Sequence, residues 1–474
     1  MTKNYQYDAI VVGSGPNGLA AAITMAQSGA SVAIFEAKET IGGGLRTAEL
    51  TLPGFKHDIC SAILPLGIAS PFFKSLPLEK YGLKWIQPLA PLAHPFEDGT
   101  AALLENSIEK TCQTLNADGL AYKQLIEPLV ANWDKIEEDI LGPLHFPKHP
   151  LAMARFGLLA FRSAKNFVSS FFTEKQARGM FIGLAAHSIL PLDKTITAAF
   201  ALVLGILGHK SGWPIVSGGS ERLADALASH FLSLGGKTFT HAPIKHMDDL
   251  PSAKVYFFDV TPNQLVQIAG NRFPAGYVAK LKKYRYGPGV FKMDWALSQP
   301  IPWKAKECLR AATVHIGGTE EEIEYSEAEV WKGNISDKPF VLMAQPSLFD
   351  STRAPPGQHT AWGYCHVPNG SRVDMTDLIE NQIERYAPGF RDCILAKSTK
   401  NTLELEHYNA NYMGGDINGG VQDIWQFFTR PVARLVPYST PAEDIFICSS
   451  STPPGGGVHG MCGYHAAKAA LKNL

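Results

Sequence analysis

The sequence predicts an α/β protein of two domains, one built on a parallel strand–helix–strand unit and the other an α+β domain with a mixed or antiparallel sheet. Three observations carry this expectation. Near the start, Asp8–Val12 is a short apolar run, Leu19–Gln27 is an alanine-rich helix former closed by Gly29, and Ser31–Phe35 is a second β-branched and aromatic run. At 474 residues the chain is too long for one ordinary core. In its second half, Val290–Leu297 alternates as a half-buried strand, and Thr313–Ile316, Phe340–Gln345 and Thr360–Val367 are further strand-like runs.

The first unit is chemically specific. Gly13, Gly15 and Gly18 form G-x-G-x-x-G between the first strand and the helix, and Glu36 ends the second strand where an acid reaches a ribose hydroxyl. Without Cβ atoms at Gly13 and Gly15 the backbone can close on a pyrophosphate, to which the helix start offers N–H groups and a positive dipole end. The unit therefore reads as Rossmann-like and dinucleotide-binding. The fingerprint alone does not separate NAD from FAD.

Bulk properties exclude other classes. A formal charge of -1 with 18% charged residues supplies no basic surface, so no nucleic-acid partner is expected. Seven scattered cysteines without a C-x-x-C pair read as reduced thiols of a cytoplasmic protein, with no disulfide framework, no metal site and no redox-active disulfide. The first strand starts almost at once, leaving no room for a signal peptide. The most apolar window, Thr197–Leu207, is too short for a transmembrane span, which leaves peripheral membrane contact open.

Along the chain, Thr47–Leu64 is extended around a Pro53-Gly54 turn, and Leu120–Ile140, Leu151–Phe172 and Gln176–Ser188 are helices. Phe156, Phe161, Phe167, Phe171 and Phe172 form either a helical core or the wall of an apolar channel. Ser220 is placed to cap a helix carrying Leu223, Leu227, Phe231 and Leu234 on one face, closed by Gly235-Gly236. Strands follow near Lys237–Thr240 and at Lys254–Val260, then a helix at Asp374–Tyr386. At the end come a buried strand Ile445–Cys448, a glycine turn Pro453–Gly457 and an alanine-rich helix Gly463–Leu471.

Gly42–Gly44 with Arg46 resembles the GG-x-R segment of glutathione-reductase-like flavoproteins, and Gly218–Leu227 the GG-x-x-x-L-x-x-A-L segment of their desaturase branch. The C-terminal strand, glycine turn and helix resemble that branch's last FAD motif. The chain is thus similar to the FAD-dependent phytoene desaturase-related and amine oxidase-like flavoproteins, including relatives named for a pyridine nucleotide-disulfide oxidoreductase domain that lack redox cysteines. The resemblance implies a discontinuous FAD-binding domain of residues 1–64, 205–283 and 415–474, with a substrate domain of 65–204 and 284–414. It also implies that a hairpin usual before Lys254–Val260 is missing. The implied FAD contacts are Gly13, Ser14, Gly15, Pro16, Asn17, Gly18, Glu36, Ala37, Gly43, Gly44, Leu45 and Arg46, then Ile244 for the adenine and Ser450 for the ribityl chain. Gly457, Val458, His459, Gly460 and Met461 fall at the flavin edge, where a helix start stabilises negative charge.

The implied activity is an FAD-dependent oxidoreductase that passes hydride from an organic, apolar small molecule to flavin N5, with oxygen, a quinone or another carrier reoxidising the flavin. A redox-neutral flavin-assisted isomerase and an FAD-containing scaffold protein are the other readings, and a homo-oligomer is left open. The resemblance points to Lys292 as the catalytic lysine; the alternative is an ordinary strand lysine paired with Asp294. His459 either meets the flavin or substrate or caps its helix. Tyr364, Cys365 and His366 alternate faces of one strand, so at most two share a site. Gly414, Gly415 and Asp416 are a loop near the flavin or a plain turn, and His187, Trp295 and Arg353 are further pocket candidates.

Overall fold

The computed structural model describes residues 5–472. A parallel five-stranded sheet has the order Ile445–Ile447, Ala253–Phe258, Tyr7–Val12, Val32–Phe35, Lys237–Phe239. Ala9, Ile10 and Val11 of the central strand are wholly buried, as a strand covered on both faces must be. Helix Pro16–Gln27 starts with proline at its first position, where the missing N–H costs nothing. It packs on helices Glu221–Ser233 and Met461–Ala470. At the second contact a Cβ on Gly463 would lie 1.8 Å from the Asn17 carbonyl oxygen, so only glycine admits this approach.

The second sheet is mixed and seven-stranded, in the order Ile394–Lys400, Gly289–Leu297, His359–Val367, Val341–Ala344, Ala311–Ile316, Ala90–Pro95, Ala101–Leu104. All its pairings are antiparallel except Ala90–Pro95 with Ala311–Ile316. Ala90–Pro95 is a strand that the sequence pattern does not announce. Pro91 and Pro95 remove ladder donors and hide the strand from a pattern reading. Gly289–Leu297 is buried along its whole length rather than alternating, because the sheet is covered on both faces. Phe291, Met293 and Trp295 pack with helix Thr376–Tyr386, while Leu92, Leu104 and Leu342 face the helices of the first half.

Two further expectations are corrected. Leu151–Phe172 is two helices, Pro150–Ala160 and Ala164–Phe171, broken where the Ser163 hydroxyl accepts from the Asn166 N–H at 3.3 Å and caps the second. Ser220 does not cap with its side chain; its hydroxyl donates to Asp58 Oδ1 at 2.9 Å and to the Leu45 carbonyl. The phenylalanines divide: Phe167 stacks on Phe181 at 4.4 Å in the core, whereas Phe156 and Phe161 reach a cavity. The expected gap before Ala253–Phe258 holds only the short turn Met247–Asp249.

Gly463→Ala tests the helix contact, because two effects oppose each other. Helix propensity favours alanine by about 1 kcal/mol, whereas overpacking against backbone costs about 3 kcal/mol. Chemical denaturation should show a net loss of about 2 kcal/mol; a gain would contradict the close approach.

Candidate functional site: two joined cavities

A cavity of about 370 Å³ opens at the carboxyl ends of the parallel strands, where open α/β sheets place ligands. Gly13, Ser14, Gly15, Pro16, Asn17, Glu36, Ala37, Gly43, Gly44, Arg46, Ile244, Ser450, Gly457 and Val458 line it. Gly18, Leu45, Gly460 and Met461 stand behind the wall. Gly18 donates its N–H to Asp259 Oδ2 at 2.9 Å, Leu45 is fully buried, and Gly460 (φ 69) turns the chain into the helix that Met461 opens.

Glu36 ties the cradle together. Its Oε2 accepts from the Ser14 N–H at 3.0 Å and hydroxyl at 2.6 Å, and its Oε1 from the Lys38 N–H at 2.9 Å and Arg46 Nη2 at 3.3 Å. Arg46 shapes the loop after the second strand, donating Nε and Nη2 to the Thr40 carbonyl and Nη1 to that of Gly43, with its guanidinium over the Tyr408 ring.

Asp259 was not foreseen, although a polar residue ending a parallel strand beside the fingerprint is itself a signal. A Cβ on Gly15 would lie 2.7 Å from its Oδ2. Burial first, then the Glu36 charge, raises its carboxyl to about 7 against the restraint of the Gly18 N–H. Asn411 holds the same corner, donating Nδ2 to the Asp259 carbonyl at 2.9 Å while its Oδ1 accepts from the Thr261 N–H.

A second cavity, about 560 Å³ and mostly apolar, adjoins the first; Ser61, Tyr412, Ile417, Gly457 and Val458 line both. Its floor is a row across the mixed sheet, since Lys292 registers with Tyr364 and Tyr364 with Leu342. Lys292 is 3% exposed and is held by both Asp294 oxygens at 2.5 Å. The pairing foreseen as the alternative is present, and the same residue lines the cavity. Behind the pair, His57 Nδ1 lies 3.6 Å from Asp294 Oδ1, and burial with the Lys292 charge holds His57 at about 3, so its ring is neutral. Asp294 is itself raised by burial against the pull of Lys292.

The other candidates separate. His459 caps its helix: Nδ1 accepts from the Met461 N–H at 3.0 Å, and burial holds the ring neutral, at about 4. Its ring lines the apolar cavity, but Nδ1 is already used. His187 lines the cavity and shares a hydrogen bond of 3.0 Å between its Nε2 and that of His315. His366 is paired away with Glu327 at 2.8 Å, Cys365 lies in the core of the opposite face, and Trp295 donates to Glu380. Arg353 is fully buried between Asp58 at 3.0 Å and Asp350 at 2.9 Å, outside both cavities. Asp416 accepts from the N–H groups of Gly287, Asn418 and Gly420, which makes the Gly414–Asp416 loop a tightly anchored turn. All seven cysteines are free thiols.

The residues fit a dinucleotide. No side chain caps the helix that starts at Pro16, the Asn17 Oδ1 is buried at the cavity without a protein partner among the described residues, and Asn17 Nδ2 reaches Ser450 Oγ at 3.5 Å. Helix start, acid and C-terminal turn thus converge on one space.

The fold and cavity define a Rossmann-like dinucleotide-binding fold. Residues 11–76 match the NAD(P)-binding Rossmann-like domain family. The chain is homologous to "Pyridine nucleotide-disulfide oxidoreductase domain-containing protein 2" of Mus musculus, at 24% identity over 99% of this chain and 94% of that protein. It is likewise homologous to the 4,4'-diapophytoene desaturase (4,4'-diaponeurosporene-forming) of Staphylococcus haemolyticus, at 22% identity over 94% and 95%. Putrescine oxidase bound to putrescine shares the fold, with a TM-score of 0.63, 18% identity and 98% of each chain covered.

Asp259 gives a pH test with a definite sign. Its native carboxyl titrates near 7 and its unfolded one near 3.8, so between those values the native state holds the extra proton and stability falls as pH rises. Asp259→Asn should remove up to one proton from the slope of unfolding free energy against pH in this window, read by denaturation of the apoprotein. An unchanged slope would show that Asp259 titrates normally.

Proposed function

We propose that the protein is an FAD-dependent oxidoreductase, holding FAD in the first cavity and dehydrogenating or desaturating an apolar organic molecule held in the second. The observation that carries this reading is the junction: a polar cradle built for a dinucleotide opens, through five shared residues, into an apolar chamber. Bound FAD supplies the two-electron acceptor for a C–H bond held beside it. The chain's own residues do the rest. Glu36 receives the ribose hydroxyls, the start of helix Pro16–Gln27 the pyrophosphate, Ile244 the adenine, and Ser450 the ribityl chain. In the turn Gly457–Met461, Gly457 and Val458 would hold the flavin edge, with His459 holding the helix start that Gly460 and Met461 form.

On the chamber side, Lys292 is the only lysine or arginine among the described lining residues. Asp294 fixes its Nζ at the wall, leaving the ammonium positioned to donate to a water or a substrate heteroatom. The apolar lining selects a substrate by area rather than by charge. Residues 1–64, 205–283 and 415–474 act in this reading as the FAD-binding domain, with the other two segments shaping access. Oxygen, a quinone or another carrier would serve as the final electron acceptor.

Anaerobic mixing of the holoprotein with an apolar metabolite extract should bleach the oxidised-flavin absorbance. Bleaching by dithionite but by no apolar fraction would overturn the reading. Gly15→Asp, which sets a second carboxylate against Asp259, should yield a folded but colourless protein by circular dichroism and absorbance; retained flavin would refute the assigned cradle. Removing one partner of a buried ion pair costs about 3–5 kcal/mol, so Lys292 is tested as Lys292→Met with Asp294→Asn. FAD content should hold while turnover falls at least about tenfold; unchanged turnover would remove Lys292 from the site.

A further inference from the structure

The floor of the apolar cavity continues past Leu342. His315 registers with Leu342, and the pairing of Val314 with Ala93 sets His94 beside His315 on the next strand. From Lys292 to His315 the row crosses three strand spacings, about 14 Å. Lys292 stands at the end next to the first cavity, where Cys60 has both Lys292 and the Tyr412 hydroxyl as neighbours. His187, in the turn Ala186–Ser188, covers the far end with its ring 5.0 Å from that of His315.

Hydrogen bonding fixes where the protons sit on these three rings. Burial keeps all of them neutral: His187 is held at about 3, His94 at about 4 and His315 well below the usual histidine value. His94 Nε2 lies 2.8 Å from the Gly318 carbonyl, which can only accept, so this nitrogen carries the hydrogen and Nδ1 is a lone pair. His94 Nδ1 and His315 Nδ1 are both buried without a protein partner among the described residues. They face one point, since a Cβ on Gly183 in helix Lys175–Ala185 would lie 3.3 Å from the first and 2.8 Å from the second. Two lone pairs turned toward each other in a desolvated space repel, so His315 carries its hydrogen on Nδ1 and offers the lone pair of Nε2. His187 Nε2, 3.0 Å away, is then the donor. That leaves His187 Nδ1 an acceptor, with no partner among the described residues, on a ring that lines the cavity.

An uncharged acceptor inside an apolar chamber selects one kind of group. A carboxylate would set its charge against a lone pair, with the Lys292 strand about 14 Å away. An ammonium would be buried without a counter-charge, because Asp139, the only acid among the described lining residues, is paired with His145. An ether or a hydrocarbon would desolvate Nδ1 and give it no proton. A hydroxyl supplies that proton and adds no charge. Thr313, two residues before His315 on the same face of its strand, and Tyr364 also line this cavity, and their hydroxyls make no hydrogen bond among the described residues. The wall at this end thus also carries donors for a hydroxyl oxygen.

We propose that His187 determines specificity: the chamber takes apolar molecules that carry a hydroxyl remote from the reacting bond, and this hydroxyl donates to His187 Nδ1. That such molecules are substrates rests on the function proposed above; their binding is tested without turnover. Equilibrium dialysis of the holoprotein compares n-decanol, its methyl ether and n-decanoate. The alcohol should bind at least about tenfold more tightly than either of the others. His187→Phe should lower the alcohol to the affinity of the ether, with flavin content and melting temperature kept, while His187→Asn, which retains an acceptor near the place of Nδ1, should keep part of the preference. An ether or a decanoate that binds the unaltered protein as tightly as the alcohol would overturn the proposal, and that comparison decides even where a variant does not fold. A preference for the alcohol that survives in folded His187→Phe would also overturn it. Bleaching of the flavin by hydrocarbons as fast as by the corresponding alcohols would overturn the substrate class and leave the earlier reading in place. Selective binding of the alcohol by a protein whose flavin no compound reduces would uphold the site and sink only the earlier reading.

Discussion

Parallel pairing around one strand is the constraint on which the rest depends. Val11 registers with Ile34 on one side and Phe257 on the other, and Phe257 registers with Phe446. Three stretches separated by hundreds of residues thereby end at one edge, and the cradle exists only because they do. Gly18 then ties the first to the second through Asp259, and Asn17 reaches the third through Ser450. A parallel sheet of this kind is covered on both faces, which is why its strands are almost wholly apolar and why polar groups collect at its carboxyl end.

Buried charge makes the second constraint. Lys292, Asp294, His57, Asp58, Arg353 and Asp350 form a network between the mixed sheet and the segments that lead back to the parallel one. Ion pairs this deep stabilise little against an apolar replacement, because desolvation offsets their attraction. Their effect is positional. Asp58 also accepts from Ser220 and from the Thr47 hydroxyl, so the crossing strands and helix Glu221–Ser233 are held in one register relative to the floor that carries Lys292.

The part of the site that was legible in sequence is the part fixed by local geometry. A strand, a tight turn, a helix start and an acid lie within Tyr7–Glu36, and each residue type is required by its neighbours in the chain. Glycines at 43 and 44 and the turn before Met461 were legible for the same reason. Asp259 was missed because its role arises from a pairing across more than 240 residues, with Gly18. The histidine pair 187 and 315 was missed likewise, and Ala90–Pro95 because its prolines contradict strand statistics. The capping by His459 depends on Gly460 adopting a left-handed conformation, which only the fold imposes. Pattern could not decide which phenylalanines face the cavity, since core and channel share one period.

The account stands on one FAD being held where these segments converge. The most direct measurement is the identity and stoichiometry of nucleotide released on denaturing the purified protein, or taken up by its apoprotein. One FAD per chain, and negligible NAD or NADP, is the result predicted. A colourless protein that takes up no FAD, or one that retains a nicotinamide dinucleotide in its place, would contradict it.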